Sequence, residues 1–148
     1  MEAIETLRQW LATEGLAAAI SPDGVALEVT IPETADRRLR VVAMPGSPFL
    51  HVSMVARARV PRARWAALYP LLSDVNAQMA VGAWVLDPVT GALLYRLAIP
   101  AAGASYAPEA LRAVLGQVAG TVRTMESAFR RLDHDDVMTA WLAEPDEA

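Results

Sequence analysis

The sequence predicts an α+β domain, a five-stranded, mostly antiparallel sheet with three principal helices in the order α-βββ-α-ββ-α. Three observations carry this reading. Between Val25 and Val60 apolar residues recur at every second position, in runs separated by proline and glycine turns, which is the period of half-buried strands. Segments 2–14, 61–79 and 108 onward show the three-and-four spacing of amphipathic helices instead. Asp87-Pro88-Val89-Thr90-Gly91 lies between two short apolar runs and reads as a hairpin turn.

In the first helix Ile4, Leu7 and Leu11 recur with Trp10 beside them, Glu2, Glu5 and Arg8 point away, and Gly15 ends the run. After Ser21-Pro22-Asp23-Gly24, Val25, Leu27, Val29 and Ile31 alternate with Ala26, Glu28 and Thr30 until Pro32 stops the strand. A second strand, 38–43, puts Leu39 and Val41 inward and Arg38 and Arg40 outward. The third is the longest: Leu50, Val52, Met54, Ala56, Ala58 and Val60 form one face, with His51, Ser53, Val55, Arg57 and Arg59 on the other. Short connections make these three strands an antiparallel meander.

Pro61 suits the start of the second helix, whose stripe is Trp65, Leu68, Leu72, Val75 and Met79. Pro70 interrupts it at a cost of about 3 kcal/mol, which predicts either a bend near 66–69 or two shorter helices. Strands at 83–87 and 93–99 flank the hairpin turn. Both faces of this pair are apolar apart from Arg96, so cover is expected on both sides. Pro108 and Glu109 open the third helix, where Leu111, Leu115, Val118, Val122, Met125, Phe129 and Leu132 form the buried face. Gly116 and Gly120 on that helix read as points of close approach to the sheet.

At 148 residues, with 54% hydrophobic and 20% charged residues, the chain fits one core. There is no cysteine, hence no disulfide framework, thiolate nucleophile or sulfur-liganded metal. All 13 basic residues are arginine, which removes the Walker lysine and Schiff-base chemistry. The acidic start and the lack of an apolar run of about 18 residues argue against a leader or a membrane span, so a cytoplasmic protein is expected. Charge divides the chain into a domain, 1–132, and an acidic tail, 133–148. The tail holds six of the 17 acids and no arginine, leaving 11 acids against 13 arginines before it. In the tail Val137, Met138, Trp141 and Leu142 recur at the spacing of a short helix; a docking segment and a frayed end both fit.

Four stretches give the chain a family resemblance: Leu7-Arg8-Gln9-Trp10-Leu11-Ala12-Thr13-Glu14-Gly15-Leu16, Leu72-Ser73-Asp74-Val75-Asn76-Ala77 followed by Gly82, Leu86-Asp87-Pro88-Val89-Thr90-Gly91, and Pro108-Glu109-Ala110-Leu111. With the order of elements they make the chain resemble YbjN-domain proteins from residue 4 to about 132. That resemblance implies a fold similar to the small dimeric chaperones of type III secretion, a homodimer, no cofactor, and regulatory or chaperone-like roles in bacteria. It supplies no catalytic residues.

Nothing in the residue order marks an active site. His51 and His134 are the only histidines, no serine sits in a nucleophile elbow, and Glu28 and Glu33 have no spacing that pairs them for acid-base work, so no enzyme is expected. The leading expectation is a noncatalytic protein-binding, chaperone-like or regulatory module acting as a homodimer. Trp84, Leu86, Leu94 and Tyr95 of the hairpin are its expected contacts, and Trp141 and Leu142 are expected to fill an apolar groove in cis or on a second subunit. The alternative is a nucleic-acid-associated regulator using Arg38, Arg40, Arg57 and Arg59, which could share a sheet face; a solvated protective face explains the same residues. A small-molecule sensor would need a deep polar pocket, which the residue order does not indicate.

Overall fold

The computed structural model describes residues 2–32, 38–100 and 108–131, and side chains within these except at 2, 3, 58, 59 and 127–131. Helix α1 (Glu2–Thr13) leads into β1 (Ala17–Ile20), β2 (Ala26–Thr30), β3 (Leu39–Ala43) and β4 (Phe49–Arg59). A short 3-10 turn, Arg62–Arg64, enters α2 (Trp65–Gln78), and β5 (Ala83–Leu86), β6 (Ala92–Pro100) and α3 (Pro108–Arg131) follow. The strands form one sheet in the order β1-β2-β3-β4-β6-β5, every neighbouring pair antiparallel.

Among the described residues the sheet has six strands, one more than expected. The addition is β1, whose Ala17, Ala18 and Ala19 lack the β-branched residues and the alternation by which a strand is recognised. Its start follows from the end of α1: Gly15, at φ 71, lets the Leu16 N–H reach the Leu11 carbonyl at 3.1 Å and its own N–H reach Ala12 at 3.0 Å. This is a Schellman closure, and Leu16 and Leu11 are both buried beside it. The chain then turns back along β2.

The helices lie against one face of the sheet. Helix α3 crosses β4 and β6, α1 packs on β1, β2 and α3, and α2 packs on β5. The core between the layers takes alternate strand residues: Leu27 and Val29, Leu39 and Val41, Leu50, Val52, Met54 and Ala56, then Leu93, Tyr95 and Leu97. Helix α3 contributes Leu111, Leu115, Val118 and Val122, all fully buried. At about 25 cal/mol per Å² of apolar surface, this single layer of contact drives folding.

Helix α2 runs through Pro70 without dividing. The position explains it. Pro70 and Ala66, whose carbonyl loses its partner, are both exposed, so water takes up the free acceptor. Close approach of Gly116 and Gly120 to the sheet is not found: a Cβ at Gly120 would meet nothing within 4 Å, and one at Gly116 only the Arg112 guanidinium at 3.6 Å.

The β5 edge is closed by a side chain. The Asn76 amide, on α2, donates to the Trp84 carbonyl at 3.0 Å and accepts the Trp84 N–H at 2.7 Å, standing in for a neighbouring strand. Opposite Trp84 across the ladder is Tyr95, with ring centroids 5.5 Å apart. The Tyr95 hydroxyl donates to the Val81 carbonyl at 2.5 Å, and burial raises its pKa, with a bond to Thr121 acting the other way. Gly82 is required beside it, because at φ 75 a Cβ would strike the Tyr95 hydroxyl and come within 2.8 Å of the Arg96 carbonyl.

Asn76→Ala leaves two backbone groups of buried Trp84 unmatched and will cost about 2 kcal/mol, measurable as a lower urea midpoint. In the hairpin turn, the Val89 N–H and the Thr90 hydroxyl hold the Asp87 carboxyl below its ordinary pKa. The stability this supplies is complete above the ordinary carboxylate range and is lost as pH falls through the lowered folded-state value. Asp87→Asn will therefore melt below the parent at pH 7, and the gap will close as the solution is acidified through that range.

Candidate interaction face

Because the helices cover one side, the other side of the sheet is left open by the described residues. The registers align Ala19, Glu28, Arg40, Ser53, Arg96 and Ala83 in one row across all six strands. On one flank of this row Val55, Leu94 and Val85 stand side by side, and on the other Val42, His51 and Ala98. Val55 is 51% exposed and Phe49, on the same strand face, 44%. Among the described residues, the cover expected on both sides of the hairpin is found on one side only: Ala83, Val85 and Leu94 are half-buried and Ala98 is exposed.

The charges on this face are unequal. Glu28 binds Arg38 through a 2.5 Å contact, an exposed pair of small energetic weight, and Arg40 stands opposite the same glutamate with Asp23 also near it. Arg96 has no ion-pair partner among the described residues and is flanked along its strand by Leu94 and Tyr95 on one side and Leu97 and Ala98 on the other. A shallow groove of about 640 Å³ opens beside it, bordered by Val42, Met44, His51, Ser53 and Leu94. A guanidinium on an apolar floor, with a hydroxyl and an imidazole nearby, suits a carboxylate carried by an otherwise apolar segment.

A second concavity, of about 590 Å³, lies on the helical side between α2 and α3, where Val75, Met79, Trp84 and Met125 supply apolar wall and Gly116 and Gly120 keep it open. At the far end of β4 the pairing with β6 shifts between Val55 and Arg59, and the Arg57 N–H is accepted by the Glu126 carboxylate of α3 at 3.0 Å. Glu126 is 4% exposed, so this bond ties helix and strand together in the interior. Among the described residues no three histidine, cysteine, aspartate or glutamate side chains gather as a metal site.

The expected contact residues are divided by the fold. Trp84, Leu86 and Tyr95 face the helices and are buried in the protomer, because the even positions of β5 pair with the core-facing positions of β6; only Leu94 reaches the open face. Arg38 and Arg40 share that face by alternation along their strand, Arg38 paired with Glu28, and Arg57 is exposed on the same side of β4 beside the register shift. Trp141, Leu142 and the Arg59 side chain lie outside the described residues. The sequence marks Arg96 only as the charged exception in the hairpin and Asn76 only within a family-like stretch, and it does not mark Glu126 at all. For Arg96 a signal exists, since it is the one basic residue in a hairpin whose strands are otherwise apolar on both faces.

A family model described as "YbjN: Putative bacterial sensory transduction regulator" matches residues 3–131. Among solved structures, the chain is similar to one described as "Crystal structure of YbjN, a putative transcription regulator from E. coli". The TM-score is 0.65 at 17% identity, over 84% of this chain and 91% of that one. At this identity the likeness concerns the fold. No curated protein shows a significant sequence match.

Arg96→Ala and Val55→Ser alter exposed positions and will each change unfolding free energy by less than about 0.5 kcal/mol in urea titrations. Glu126→Ala, by contrast, will cost about 2 kcal/mol, since it leaves the Arg57 N–H without its carboxylate, while Glu126→Gln keeps an acceptor and will cost less.

Proposed function

The chain belongs to the YbjN family, and from that footing we propose that it is a noncatalytic regulatory module which binds a segment of another protein across the open face of its sheet. The observation that supports this most directly is the combination of Val55, Leu94 and Val85 with Arg96, which has no ion-pair partner among the described residues, on a face that no described helix covers. Exposed apolar surface of this kind, centred on one charge, marks contact sites on soluble domains. The reading extends to a chaperone-like role, in keeping with the type III secretion chaperone-like fold that the family resemblance implies, and to the cytoplasm. No described helix is long and apolar enough to cross a membrane.

The proposal includes a homodimer, for which β1 is the suitable element. Ser21 and Ala26 are hydrogen-bonded across the β1-β2 ladder, and alternation then directs the backbone groups of Ala18 and Ile20 to the outer edge. That edge is uncharged and small, and two copies about a two-fold axis would continue the sheet antiparallel. The β5 edge is unsuited, because Asn76 occupies Trp84.

A second reading, polyanion binding, is favoured by the exposed Arg40, Arg57 and Arg96 and by the absence of any acid between residues 37 and 64. It predicts an affinity for DNA or RNA that falls steeply with salt.

Three outcomes test these readings. A protein partner recovered by the parent will be lost with Leu94→Glu and with Arg96→Glu, both of which should fold normally by circular dichroism. Light scattering will give twice the chain mass for the parent and one chain mass for Ala18→Pro, which removes an edge donor without touching the β1-β2 ladder. A gel shift at low salt that remains negative excludes the polyanion reading.

A further inference from the structure

We infer that the acidic C-terminal segment docks on the open sheet face of its own chain, with Trp141 and Leu142 over Val55 and Leu94 and with Glu144, Asp146 and Glu147 at Arg96 and Arg40. Charge is the first argument. The 13 arginines all precede residue 133, where they outnumber the acids by two, and six acids follow with no arginine among them. On the face in question Arg96 has no carboxylate among the described residues, and the single glutamate beside Arg40 is already bound to Arg38.

Reach and order give the second argument. Glu126 touches the Arg57 backbone, so α3 delivers the chain to the end of β4, five residues before Arg131. By helix rise, layer thickness and strand spacing, the path from Arg131 round that end to Val55 is at most about 33 Å, within the extended reach of the chain that follows. The ten residues from Arg131 to Trp141 span about 33 Å when extended. The sequence of groups then matches the sheet: an apolar pair arrives first at the Val55 and Leu94 row, and acids follow where the next row carries Arg96 and Arg40. The 640 Å³ groove beside Arg96 receives this acidic end.

A tethered segment of this kind holds a high local concentration at the face, so it outcompetes a second copy of itself at modest protein concentration. Where the face also binds another protein, the tail becomes a built-in competitor; that consequence rests on the protein-binding reading above, whereas the docking does not.

The chain has no cysteine, which permits a direct test in the full-length protein. Val55→Cys combined with Leu142→Cys is expected to close an intramolecular disulfide under mild oxidation about ten times faster than Glu109→Cys with Leu142→Cys, a control at the opposite end of α3. Adding Arg96→Glu, or raising sodium chloride, should slow the Val55 closure severalfold. Val55 is an exposed position, and equal urea midpoints for the single-cysteine variants verify that each is folded. Equal closure rates at Val55 and Glu109 would overturn the inference, as would disulfide-linked dimers as the main product, which would seat the tail on a second copy. If the bridge closes as expected and no partner is ever recovered, the docking stands and the protein-binding reading falls.

Discussion

Strand β4 is the member on which the other elements depend. It is the longest strand, at 11 residues, it pairs with both β3 and β6, and it lies beneath α3. Its period of two sends Leu50, Val52, Met54 and Ala56 under the helix and leaves His51, Ser53 and Val55 on the reverse. A register slip of one residue would exchange these sets and put four apolar side chains in water. Glu126 fixes the point at which the alternation is allowed to break, because its carboxylate takes the Arg57 N–H where the ladder with β6 shifts.

From that alternation follows the asymmetry of the molecule. The three described helices are on one side, and the described residues leave on the other a surface of small and branched residues crossed by a row of polar ones. A face of this composition has neither the charge density of a fully solvated sheet nor the closure of a core. It is suited to being covered some of the time, which is the physical basis of the contact proposed there.

Much of the architecture was legible because it is periodic. The alternation from Leu50 to Ala56 and the stripe on α3 from Leu111 to Val122 are long enough to specify both element and face, and the Asp87 to Gly91 turn is specified by local chemistry: Asp87 accepts from Val89 and Thr90. Strand β1 was hidden because alanine is neutral between conformations and β1 exists through pairing with β2 rather than through its own residues. The hairpin shows a different limit. Composition marks both faces as apolar, but which face the helices take depends on tertiary packing, so Trp84, Leu86 and Tyr95 proved to be core and Leu94 surface. Asn76 and Glu126 act across the fold on backbone groups 8 and 69 residues away, a kind of contact that leaves no periodic trace.

The plug at the β5 margin is carried by a helix, and this links two parts of the protein mechanically. Asn76 can release the Trp84 backbone only if α2 shifts or its own side chain rotates away, and Val75 on α2 and Met79 just past its end border the groove shared with α3. A ligand that wedges α2 from α3 would therefore strip a strand of its substitute partner, turning a sealed margin into an adhesive one.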